Sequence, residues 1–109
     1  MEQLYITVIG LNHYLEKKSF KVGRIFKLIK DTENEYDTEA IAAVLPYIGT
    51  VGYVANSHHT VYDGTCSAGR LYEKIGSSAL AEVMFITHSS IIARVLSEEE
   101  EKLQSQPFS

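Results

Sequence analysis

The side chains best able to do chemistry are scattered along the chain, and their spacing excludes most reactions before any fold is considered. Cys66 is the single cysteine and lies between Thr65 and Ser67, with no sequence pattern that would orient a base on it. It reads as a structural or incidental thiol, not a nucleophile. Of the four histidines, His58 and His59 are adjacent, and on a helix neighbouring side chains diverge by about 100°, which keeps the two from sharing one metal ion. No Cys-x-x-Cys or His-x-x-x-His spacing is present, so no zinc site is expected. The glycine patterns that cradle phosphates or dinucleotides are absent, as is His-Glu-x-x-His, which leaves nucleotide hydrolysis, dinucleotide redox chemistry and metalloproteolysis without a motif. Glu33, Glu35, Asp37 and Glu39 lack the glycine and the closing glutamate of a calcium-binding loop. The expectation is a binding module and not an enzyme, with no cofactor and no metal.

Charge points to where a ligand would sit. The formal net charge is −4, which is unpromising for phosphate binding, because such contacts need Lys and Arg. The distribution matters more than the sum. Residues 11 to 30 carry Lys17, Lys18, Lys21, Arg24, Lys27 and Lys30 against Glu16, and the next nine residues carry Asp31, Glu33, Glu35, Asp37 and Glu39 with no base. Glu98 to Lys102 adds further negative charge at the C-terminal end, so the body of the chain is close to neutral. A basic run can be no more than a solvated face. It can also follow a phosphate backbone, and on that reading Lys27 and Lys30 are its contacts.

These residues must be positioned by a single small domain. At 109 residues the chain supports one hydrophobic core, and its 45% hydrophobic and 22% charged content is that of a folded protein. No apolar run approaches the ~20 residues of a membrane-spanning helix, so no membrane partner is expected; the lone cysteine suits a reducing, cytoplasmic setting. Residues 4 to 9 are β-branched and aromatic and stop at Gly10, which reads as a strand. Between Val22 and Ile29 the apolar residues fall at helical spacing while their types favour a strand, so period alone leaves this stretch open. Further strands are expected near 40–45, 51–54, 79–87 and 91–96, with short helices near 57–63 and 67–75. Residues 1–97 form the domain and 98–109 an acidic tail, a frayed helix and a loose end. The fold class is mostly β with short helices: a small barrel or rolled sheet with helices at its ends.

One stretch is more specific. From Val8 to Tyr53 the chain reads Val-Ile-Gly-Leu-Asn-His-Tyr, a basic strand, then Asn34-x-Tyr36-Asp37-x-x-Ala40-Ile41, then Gly52-Tyr53. This resembles the HIRAN domain, in which a first strand ends in glycine followed by polar and aromatic residues, and an Asn-x-Tyr-Asp-x-x-Ala-Ile turn leads into a later strand. The resemblance implies a small OB-like β-barrel of about six strands plus two short helices, and it resolves residues 23–30 as a strand. It further implies binding of single-stranded DNA at its 3′ end in a DNA repair or replication-fork setting, with a protein partner from a DNA-processing complex. Tyr14, Asn34, Tyr36 and Asp37 match the positions that hold terminal nucleotides, and Tyr53 falls beside them. Asn12 and His13 stand where the family carries an arginine and an aromatic residue. The fixed cation is thus missing, and weak binding at physiological salt is expected. The second expectation is a protein-interaction or adaptor domain without nucleic-acid affinity. Its acidic tail and a sheet edge would then engage the partner; as pure scaffold, separately, Asn34 and Asp37 only cap a turn and Tyr36 packs as a lid on the core.

Overall fold

A computed structural model describes residues 3–10, 20–46 and 48–105. Six strands, β1 (Tyr5–Ile9), β2 (Ile25–Lys30), β3 (Ile41–Leu45), β4 (Gly49–Val54), β5 (Ser78–Ile86) and β6 (Ile91–Val95), close into one barrel in the order β1-β4-β3-β2-β5-β6. Every pairing is antiparallel. Two short helices accompany it, α1 (Ala68–Tyr72) and α2 (Glu98–Ser105). The expected mostly β, OB-like barrel is what the chain forms.

The pleat decides what fills it. Ile6 and Val8 of β1, Phe26 and Leu28 of β2, Ile41, Ala43 and Leu45 of β3, and Ala81 and Val83 of β5 alternate inward into one buried cluster. Over residues 22–29 this alternation wins over the helical spacing. Phe26 and Leu28 are buried, Val22 is left 66% exposed, and β2 is paired on both edges, with β3 and with β5. Closure needs local bending, and the pairing slips between Ala43 and Val44 and again between Val83 and Phe85.

The helix expected near 57–63 does not form. Val61 donates to the Ser57 carbonyl, but the next amide, of Tyr62, donates instead to Thr7 Oγ1 on β1. Thr65 Oγ1 lies 2.9 Å from the same hydroxyl, and the Cys66 amide donates to the Tyr5 carbonyl. The segment is drawn down as a sequence of turns over the outer face of β1, which accounts for the complete burial of Thr7. The helix expected near 67–75 is shorter, α1, with Ser67 as its N-cap. Among the described residues no helix is long and apolar enough to cross a membrane.

Candidate functional site

The loop between β2 and β3 is built by its own side chains. Its base is closed where the Asp31 amide donates to the Ala40 carbonyl at 2.8 Å. Inside it, Asn34 Oδ1 accepts from the amides of Tyr36 and Asp37, both at 2.9 Å, the local turn that short Asx side chains make. Asp37 Oδ1 then accepts from the Glu39 amide at 2.8 Å. Its other oxygen accepts from Asn56 Nδ2 at 3.3 Å, and Asn56 Oδ1 in turn accepts from the Gly69 amide at 2.8 Å. Asn56 thereby ties the loop to the start of α1. A Cβ on Gly69 would fall 2.6 Å from Glu39 Oε1, the far end of an exposed side chain that would have to swing aside.

Beside this loop, Tyr53 projects outward from β4, opposite Ile9 of β1 on one edge and the small Ala42 of β3 on the other. Its hydroxyl donates to Asp31 Oδ2 at 3.0 Å. A cleft of about 330 Å³ opens between them, with a floor of Ile9, Ala40, Tyr53 and Val54. Asn34, Tyr36 and Asp37 form one wall; Asn56, Ser57 and Thr60 form the other. Tyr36 is 95% exposed, so it is no lid on the core. Asn34 and Asp37 do cap the turn, as expected of a scaffold, yet both also line the cleft.

Of the residues read from the sequence as binding residues, Asn34, Tyr36, Asp37 and Tyr53 are therefore gathered in one place. Lys27 and Lys30 are not among them. Lys27 points outward from β2 into a separate cleft of about 510 Å³, shared with Glu98, Glu101 and Lys102 of α2. Lys30 Nζ donates to the Ile75 carbonyl at 3.0 Å and sits 4.2 Å from the centre of the Tyr72 ring. Asn12, His13 and Tyr14 lie outside the described residues, as do Lys17 and Lys18. Among the described residues no Lys or Arg lines the Tyr36 cleft, and no three His, Cys, Asp or Glu side chains converge as metal ligands.

Asn56, Ser57 and Thr60 were not anticipated as site residues. Asn56 and Ser57 are good N-cap types, a sequence signal for the helix expected near 57–63 and not for a site. The turn they form also changes the view of His58 and His59. Off a helix the two rings do not diverge but pack, with centroids 4.0 Å apart and a 38° tilt.

Comparison of the chain with protein-family models, with characterised proteins and with solved structures finds no match.

Proposed function

We propose that this protein binds the end of a single strand of nucleic acid, DNA by its resemblance to HIRAN domains, and that the cleft beside Tyr36 receives the terminal nucleotide. The observation that carries the reading is Tyr36 itself. A tyrosine 95% exposed beside a cleft with an apolar floor gains nothing for the fold, whereas base stacking on an aromatic side chain is worth ~1–3 kcal/mol. Asp37 is half-buried at the same cleft, with lone pairs beyond those given to Glu39 and Asn56. A carboxylate accepts a hydrogen bond from a hydroxyl and repels a phosphate brought to the same place. With Asp31 behind Tyr53 adding a second negative charge, the end this cleft suits is a free 3′-hydroxyl. The role is recognition rather than catalysis, in the cytoplasm and at sites of DNA repair or replication-fork processing.

The second reading, a protein-interaction module, has one specific observation in its favour. The described lining of the cleft offers aromatic rings and carboxylate but no cation, and rings with carboxylate also suit a Lys or Arg side chain of a partner. The two separate cleanly. Fluorescence anisotropy with short oligonucleotides at low salt should give tighter binding for a 3′-hydroxyl strand than for the same strand ending in a 3′-phosphate. Asp37→Asn, which keeps an acceptor for the Glu39 amide, should erase most of that preference. Equal binding of the two strands would sink end recognition through Asp37, and no binding of any strand would leave the interaction module.

A further inference from the structure

The Tyr36 cleft has a negative wall and, among the described residues, no Lys or Arg in its lining, so a strand entering it still needs positive charge for its phosphates. The wall opposite Asp37 supplies candidates. Ser57 and Thr60 line the cleft, and the Thr60 amide donates to the Ser57 carbonyl at 2.9 Å, closing a tight turn whose two corner residues are His58 and His59. The His59 amide donates to Ser57 Oγ and Thr60 Oγ1 donates to the Ser57 carbonyl, which fixes the turn further. Both histidines are exposed, and each is one Cα step, ~3.8 Å, from a residue of the cleft wall.

We propose that His58 and His59 are the phosphate contacts of this cleft, a pair that holds the strand's backbone when protonated; the inference rests on the nucleic-acid reading above. Two rings packed at 4.0 Å repel each other once both carry charge, and a phosphodiester beside the pair offsets that repulsion. The sign follows from linkage. An anion that favours the protonated pair must itself bind more tightly as protons are added, so affinity rises as pH falls. Histidine is the side chain whose ordinary titration falls between pH 5 and 8, and a phosphodiester keeps its single charge throughout that window. The other charged or titratable groups around the turn are Asp37 and Tyr36 on the opposite wall, Tyr53 with Asp31 on the floor, and Tyr62 and Asp63 further along the same segment. The Tyr62 hydroxyl is held below the ordinary tyrosine range, chiefly by its hydrogen bond with Thr87. Of these groups the histidines are the ones able to carry positive charge, and so the ones a phosphate favours.

The experiment is anisotropy of a labelled oligothymidylate with a free 3′-hydroxyl, at fixed low ionic strength, between about pH 8 and about pH 6. Wild-type affinity should rise about fivefold, as two exposed ion pairs would give at most. His58→Ala/His59→Ala should remove the rise, and its melting temperature shows that the barrel is intact. His88→Gln, on the β5–β6 loop, should keep it. A flat wild-type profile overturns the proposal, as does a rise that survives the double substitution or one that disappears in His13→Gln instead. If no strand binds at any pH, the nucleic-acid reading itself has failed and the histidine pair falls with it.

Discussion

Tyr36 and Asp37 are neighbours with opposite obligations to the fold. The Tyr36 ring is 95% exposed, and the hydrogen bond that matters locally, from its amide to Asn34 Oδ1, survives in any residue but proline at that position. Tyr36→Ala should therefore leave the melting temperature within about 3 °C, as exposed substitutions do, while costing roughly five- to a hundredfold in strand affinity through lost stacking. Thermal unfolding and anisotropy on the same sample check both halves, and a large loss of stability would return Tyr36 to a structural role. Asp37 cannot be separated from the fold in this way, because its two oxygens hold the Glu39 amide and Asn56. Asn34, Tyr36, Asp37 and Tyr53 all belong to the motif quoted from the sequence, and the fold brings these four side chains to one cleft. The sequence could not place Lys27 and Lys30, because a run of charge says nothing about facing, and the register of β2 sets Lys27 against Val44 and Leu80, away from Tyr53. Asn56, Ser57 and Thr60 were hidden for a different reason, since they reach the cleft only through a turn that β1 pulls out of helical form.

At the level of elements, the strands were readable from their β-branched and apolar residue types and from the turn residues between them, and in β2 pairing on both edges decided between strand and helix. The segment from 57 to 63 was not readable, because its local capping chemistry is real but the Thr7 hydroxyl competes for its donors across 55 positions of sequence. The acidic end of the chain differs too. Its helix, α2, is anchored: Ser97 Oγ accepts from the Glu100 amide while Glu100 Oε1 accepts from the Ser97 amide, a reciprocal capping box. Arg94 of β6 then bridges Glu100 at 2.8 Å and Glu82 of β5 at 2.9 Å. The Ser97 amide, with Arg94 next in weight, holds the Glu100 carboxyl below its ordinary value of 4.5. A carboxyl depressed in the folded state contributes stability above its unfolded value, and that contribution disappears as pH falls through the lower native one. Glu100→Gln should thus lower the melting temperature slightly near neutral pH, by a few degrees at most for so exposed a group, and the gap should close in acid. Melting curves of both proteins at about pH 7 and about pH 3 test this; an equal gap at both would mean that the effect is not the charge.

Across the whole molecule, closure of the barrel distributes the charge in a way that the linear sequence conceals. The basic and acidic runs are neighbours in sequence, yet β2 turns its cations toward β5, α1 and α2 while the loop that follows turns Asp31 and Asp37 toward β4. Lys27 ends beside Glu98 and Glu101, and Lys30 is engaged with the Ile75 carbonyl and the Tyr72 ring. From sequence alone both lysines would contribute to the salt dependence of binding. Each cation paired with a phosphate of a single strand contributes about 0.7 to the slope of log K against log salt. In the folded protein Lys27 faces glutamates across a different cleft from the one that holds Tyr36, so Lys27→Gln should leave that slope unchanged. Lys27 is the informative choice because its side chain is exposed, whereas substituting Lys30 would also remove its bond to Ile75. The measurement is anisotropy of one 3′-hydroxyl oligonucleotide over a series of salt concentrations, wild type against Lys27→Gln at a single pH. A slope reduced by about 0.7 in the variant would mean that the strand leaves the cleft and continues across β2 beneath α2, and the path of the ligand over the barrel would have to be redrawn.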